Sequence, residues 1–112
     1  MNDDLERIVG AVPGPQTYAL SQPLRAHESR NVTYLGDDFP VFWESASGAN
    51  VIDIDGNRYI DLTAAFGVAS VGHSNPAVVA AVAEQAGKLM HGMGDVHPTA
   101  VRTRLLERLS RV

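Results

Sequence analysis

The sequence has no cysteine and a single lysine, Lys88. The first absence excludes a disulfide framework, a zinc–thiolate centre and a thiol nucleophile. The second leaves one side chain able to form a Schiff base. That lysine falls near the C-terminal end of an amphipathic stretch, where a positive charge complements the helix dipole, so it is expected to be exposed and ordinary. Long apolar runs are missing as well. The longest, residues 62–72, is far short of the ~20 residues that cross a bilayer. Nor is there an excess of charge of one sign. Thirteen acids against nine bases give a formal charge of -4, too mild and too interspersed to imply a nucleic-acid or membrane partner. The acidic start, MNDDLERIVG, is unlike a signal peptide or a presequence. A soluble cytoplasmic protein is the expectation.

What is present suits one domain, or a piece of one, in 112 residues. Residues 3–12 are predicted to form a short helix, with Asp3 and Asp4 at its N-terminus and Leu5, Ile8 and Val9 on one face. Pro13-Gly14-Pro15 would stop it, and residues 16–36, which lack a period and contain Pro23, read as an extended arm. FPVFWES, residues 39–45, reads as a strand, and SASGAN after it as a loop. Asp55-Gly56 lies between Val51, Ile52 and Ile54 on one side and Tyr59, Ile60 and Leu62 on the other. That is a strong hairpin signal, because glycine takes positive φ without strain. Trp43 and its neighbours are expected to supply a third strand. Asp53 and Asp55 share a strand face that is expected to be solvated, since Ile52 and Ile54 point the other way.

Pro76 suits a first helical position after Asn75. Val78, Val79, Val82, Ala83, Ala86, Leu89 and Met90 then recur at helical spacing as far as Gly92. A second helix follows Pro98, with Val101, Leu105, Leu106, Leu109 and Val112 on its apolar face. It carries no stop signal, and the layout looks like the opening of a larger α/β protein.

Candidate chemistry is sparse. His27, His73, His91 and His97 include no i, i+4 pair and no HExxH, so no metal site is expected. His91 and His97 could meet across the Gly92–Gly94 turn, and His73 is expected to order its own loop. The pairs Asp37/Asp38 and Asp53/Asp55 invite a general-acid reading, against which stands the ordinary one of solvated acids. Ser45, Ser47 and Ser70 lack a nucleophile-elbow pattern, and no glycine run matches a P-loop or dinucleotide loop. GMGD, residues 92–95, could make a backbone anion nest.

The stretch DIDGNRYIDLTAAFGVASVGHSNPAVVAAVAEQAGKL closely resembles the N-terminal part of class-III pyridoxal-phosphate-dependent aminotransferases, the group of the ornithine, acetylornithine and 4-aminobutyrate enzymes. The matching blocks are Asp53, Gly56, Tyr59, Ile60 and Asp61 in the hairpin, then Ala65-Phe66-Gly67-Val68, then Gly72-His73-Ser74-Asn75-Pro76-Ala77-Val78-Val79. The resemblance covers about residues 41–112. It implies an α/β chain forming the N-terminal part of a fold-type-I transferase. Residues 1–38 would be an N-terminal helix and extended arm, 39–72 the small antiparallel sheet of the small domain, and 73–112 two helices leading toward the large domain. The whole enzyme would be a homodimer using pyridoxal 5'-phosphate to pass an amino group from an amino acid or amine to a 2-oxo acid. The lysine that holds the coenzyme, the aspartate facing its ring nitrogen, the phosphate loop and the stacking aromatic come later in such chains. No catalytic or cofactor-binding residue is therefore assigned here, and the 112 residues alone are expected to be inactive. The resemblance puts Phe66 and Val68 on the substrate-binding wall, with Phe66 bulkier than the common isoleucine and Ala65 in place of a frequent glycine. It puts Asp95 and Val96 at the dimer interface, near the partner's site. A stand-alone, non-catalytic α+β interaction module is the alternative.

Overall fold

The computed structural model describes residues 5–34, 36–39 and 41–112. In chain order the elements are α1 (Pro15–His27), β1 (Trp43–Ser47), β2 (Asn50–Asp53), β3 (Arg58–Ile60), α2 (Pro76–Lys88) and α3 (Ala100–Leu109). They fall into two compact units, Met1–Asn75 and Pro76–Val112.

The first unit is built on the Asp-Gly hairpin. Gly56 has φ +88, and its N–H donates to the Asp53 carbonyl at 3.0 Å. β2 and β3 pair antiparallel, Val51 opposite Tyr59 and Ile52 opposite Arg58. The third strand, β1, lies antiparallel on the other side of β2, with a bulge between Trp43 and Ser45. It starts later than residue 39 and runs through much of SASGAN, because serine and alanine can pair through their backbone alone. Pro40 and Leu35 lie outside the described residues.

Two N-terminal expectations are corrected. Residues 5–12 are not helical. Arg7 and Arg58 instead exchange both backbone hydrogen bonds, at 3.0 and 2.8 Å, and Arg58 Nε donates to the Leu5 carbonyl at 2.8 Å. Asp3 and Asp4 lie outside the described residues. Residues 16–36 are not an extended arm, since most of them form α1. Pro15 fits its first turn, where a missing N–H costs nothing. Pro23 removes one donor without ending the helix, which closes with the Glu28 N–H on the Leu24 carbonyl.

The acids of the hairpin explain both corrections. Asp53 is fully buried, not solvated. Its Oδ1 accepts from the N–H groups of Asp55 at 3.0 Å and Asn57 at 2.8 Å. Its Oδ2 accepts from Asn57 Nδ2 at 3.0 Å and the Tyr59 hydroxyl at 2.7 Å. Asn57, also fully buried, turns its Oδ1 to the N–H groups of Val9 and Gly10, at 2.8 and 3.0 Å. The Asp55 carboxylate takes the N–H groups of Gln16 and Thr17, at 2.8 and 3.0 Å, and so caps α1 from 39 residues away. A carboxylate there satisfies orphan donors and complements the helix dipole. Gly14 makes room for it: a Cβ at that position would lie 2.2 Å from Asp55 Cγ. Val51 is the buried hydrophobic residue among those described, beside Thr17, Asp53 and Asn57. The centre of this unit is therefore a polar staple.

Burial would raise the Asp53 carboxyl, but the bonds from Tyr59, Asn57 and Asp55 outweigh it and hold the group below its usual range. Asp55 behaves likewise, its burial outweighed by the Gln16 and Thr17 amides. Tyr59 is pushed up to about 12, by burial first and then by its bond to the Asp53 carboxylate.

In the second unit the apolar spacing gives α2 and α3 as expected, with α2 ending at Lys88 instead of near Gly92. Thr99 caps α3, its Oγ1 accepting from the Arg102 N–H at 3.3 Å. Neither helix has a buried residue. Their apolar residues, Val78, Val82, Leu89, Met90 and Val101 among them, line an open groove of about 620 Å³. Among the described residues no helix is long and apolar enough to cross a membrane.

Candidate functional site

The candidate site is the loop between β3 and α2. Both of its ends are tied to the turn between β1 and β2. The Asp61 N–H donates to the Ala49 carbonyl at 2.8 Å, and His73 exchanges two backbone bonds with Gly48, at 2.9 and 2.8 Å. Gly72 takes φ +90 at this closure, a backbone conformation in which a side chain would be strained. The side chains close the loop a second time. His73 Nε2 donates to Asp61 Oδ2 at 2.7 Å, with the two side chains 14% and 4% exposed. A carboxylate can only accept, so the imidazole supplies the proton. The Trp43 ring stands edge-on to His73, centroids 6.0 Å apart.

Between these ends the backbone does something the composition does not announce. Ala64, Ala65 and Phe66 have φ of 49, 48 and 57, and Gly67 follows at 86. That is one turn of left-handed helix, which for L residues costs roughly 1–2 kcal/mol each. The Gly67 N–H donates to the Thr63 carbonyl at 3.1 Å and the Ala69 N–H to the Ala64 carbonyl at 2.9 Å. Asp61 starts the turn: Oδ1 accepts from the Thr63 N–H at 2.8 Å and the Thr63 hydroxyl at 2.7 Å, and Oδ2 accepts from the Ala65 N–H at 3.0 Å. These bonds, with the His73 bond foremost, hold the Asp61 carboxyl well below the ordinary carboxylate range. Sustained strain of this kind persists only where the surroundings over-determine it. The turn presents Phe66 fully exposed and Val68 90% exposed. Beneath it is a small cavity of about 200 Å³, lined by Gly48, Asp61, Ala64, Ser70 and His73.

His73 orders its loop as expected. Asp61 was missed as an organiser, although Asp-x-Thr at a strand end is a known turn-forming signal. Asp95 and Val96 lie on a turn bridged by Met93 and His97, exposed at Val96. Just after GMGD, the N–H groups of Val96 and His97 both donate to the Met93 carbonyl. Among the described residues no cluster of His, Asp and Glu could hold a metal ion. Lys88 is exposed and pairs with Glu84 on its own helix.

A sequence profile for class-III aminotransferases matches residues 33–112. The 4-aminobutyrate aminotransferase of Mycobacterium tuberculosis is 38% identical over 106 residues, covering 95% of this chain and 23% of that protein. A glutamate-1-semialdehyde 2,1-aminomutase 2 of Lysinibacillus sphaericus is 40% identical over 88 residues, 79% of this chain and 18% of that one. Among solved structures, the acetylornithine aminotransferase from Elizabethkingia anophelis superposes with a TM-score of 0.57 at 32% identity, over 65% of this chain and 18% of that one. The chain thus spans less than a quarter of the length of these relatives. Its hairpin, its clasped loop and both later helices all fall inside the matched span, and the chain belongs to the class-III aminotransferase family.

Proposed function

We propose that these residues are the N-terminal segment of a pyridoxal-phosphate-dependent aminotransferase subunit. It passes an amino group from an amino acid or amine to a 2-oxo acid, as a cytoplasmic homodimer without nucleic acid or membrane. Within it, loop 62–72 is a wall of the substrate site and not a source of reacting groups. The observation that carries this is the left-handed turn, which spends backbone strain to hold Phe66 and Val68 away from the sheet. Asp95 and Val96 are contacts toward the partner subunit, a reading supported by the exposure of Val96. Residues 1–38, which carry α1, are the N-terminal segment, 39–72 the small-domain sheet, and 73–112 the helices toward the large domain.

Pyridoxal 5'-phosphate is the coenzyme this reading requires, and these residues do not fit it. A coenzyme lysine must be buried and poised, whereas Lys88, the one lysine present, is 66% exposed and salt-bridged to Glu84. No step on the coenzyme is therefore assigned to this chain. An independent interaction module is not favoured, since Val51 is the buried hydrophobic among the described residues.

The test is amino transfer. The full-length subunit, supplied with pyridoxal phosphate, a 2-oxo acid and either 4-aminobutyrate or an ornithine derivative, is expected to form the corresponding amino acid. Residues 1–112 alone are expected to form none. Turnover by the 112 residues, or none by the full subunit with any amino donor, would overturn the proposal.

A further inference from the structure

Four consecutive left-handed residues need a cause, and their own side chains do not give one. Ala64 and Ala65 carry only methyl groups, and Phe66 is fully exposed. The bonds that start the turn come from outside it, from the Asp61 carboxylate to Thr63 and Ala65. Asp61 is fixed in turn by His73 at 2.7 Å, and His73 by its two backbone bonds to Gly48. A chain of contacts thus runs from the sheet turn through His73 and Asp61 to the direction in which Phe66 points. The Asp61–His73 pair is itself almost covered, so a molecule lying against Phe66 does not reach it.

Resting on the reading of loop 62–72 as a substrate wall, we infer that Asp61 and His73 are positioning residues for amino-donor choice, acting through the turn that carries Phe66. Loosening the pair changes the shape of the wall without removing any group that would touch the donor. Donors are then affected according to side-chain size, instead of all being slowed alike.

The experiment uses the full-length enzyme and the variants Asp61→Asn, His73→Asn, Phe66→Ala and the double variant Asp61→Asn/Phe66→Ala. Amide exchange at Ala65, Gly67 and Ala69 is expected to rise by about tenfold in both clasp variants, with Val51 and Tyr59 unchanged within about twofold. The ratio of kcat/KM between a bulky and a small amino donor is expected to move by about fivefold. In the Phe66→Ala background the Asp61→Asn effect on that ratio is expected to vanish, because coupled residues are not additive. An equal loss for all donors, an undiminished effect without Phe66, or unchanged loop exchange would overturn the inference. His73→Asn keeps the Asp61 bonds to the turn, so it reads the clasp even where Asp61→Asn does not fold. If the wild-type enzyme transfers no amino group, the proposed function falls, and exchange confined to residues 63–72 still decides whether the pair holds the turn.

Discussion

Asn57 is the side chain on which most of the first unit converges. It serves the backbone of Val9, Gly10 and Ala11 and the carboxylate of Asp53 at once. Asn57→Ala leaves buried donors and acceptors without partners, at about 1–3 kcal/mol for each group stranded. Protection of the Val51 and Asp53 amides against exchange in the full-length subunit is expected to fall by at least about tenfold, since 1.4 kcal/mol is a factor of ten. Gly14→Ala acts by a different route. Its methyl would meet Asp55, push the carboxylate off the Gln16 and Thr17 amides and uncap α1, a loss of about 1 kcal/mol before the clash is counted. Limited proteolysis should then cut between residues 10 and 20 faster than in the parent chain. Tyr59 offers a spectroscopic handle. A tyrosine that ionises only near pH 12, while an ordinary phenol does so near pH 10, should stand out as a late step in an ultraviolet titration and disappear in Tyr59→Phe.

At the scale of the element, the hairpin is a charged device with a defined working range. Asp53, Asp55 and Asp61 all ionise below the usual carboxylate value when folded. Each therefore contributes stability that is present above about pH 4 and lost as pH falls through its lowered folded value. Tyr59 has the opposite sign: its contribution is complete below about pH 10 and lost as pH rises through about 12. Exchange protection in β2 and β3 should be flat between these limits and fall at both ends, and Asp53→Asn should flatten the acid limb. A steep fall near pH 6 would contradict this assignment. The hairpin itself was legible because Asp-Gly between alternating apolar residues leaves little choice of turn. α2 and α3 were legible from apolar spacing and the prolines before them. α1 was not, because two prolines and a glycine argue locally against a helix whose cap comes from Asp55. The burial of Asp53 was hidden for a related reason. Strand alternation assigns it to a face, but only the returning segment at Val9–Gly10 shows that the face is covered. The left-handed turn was invisible because alanine and phenylalanine have no preference for it. Only Asp61 and His73 together make it legible.

At the scale of the molecule, apolar surface outweighs what the chain covers by itself. The groove on α2 and the outward residues of α3 are of the kind that mark contact surfaces. Residues 1–112 in isolation are expected to self-associate, with sedimentation that depends on concentration, and Val82→Lys with Leu105→Lys should shift the material toward monomer. A concentration-independent monomer in the parent chain would refute this. The remote cap on α1 also has a consequence for synthesis. A nascent polypeptide leaves the ribosome at about 5–20 residues per second, N-terminus first. The acceptors that receive the amides of Val9, Gly10, Gln16 and Thr17 lie at Asp55 and Asn57. The opening helix must therefore wait, exposed to proteases and chaperones, until the hairpin has cleared the exit tunnel. Stalled translation intermediates should become resistant to protease digestion only beyond that point.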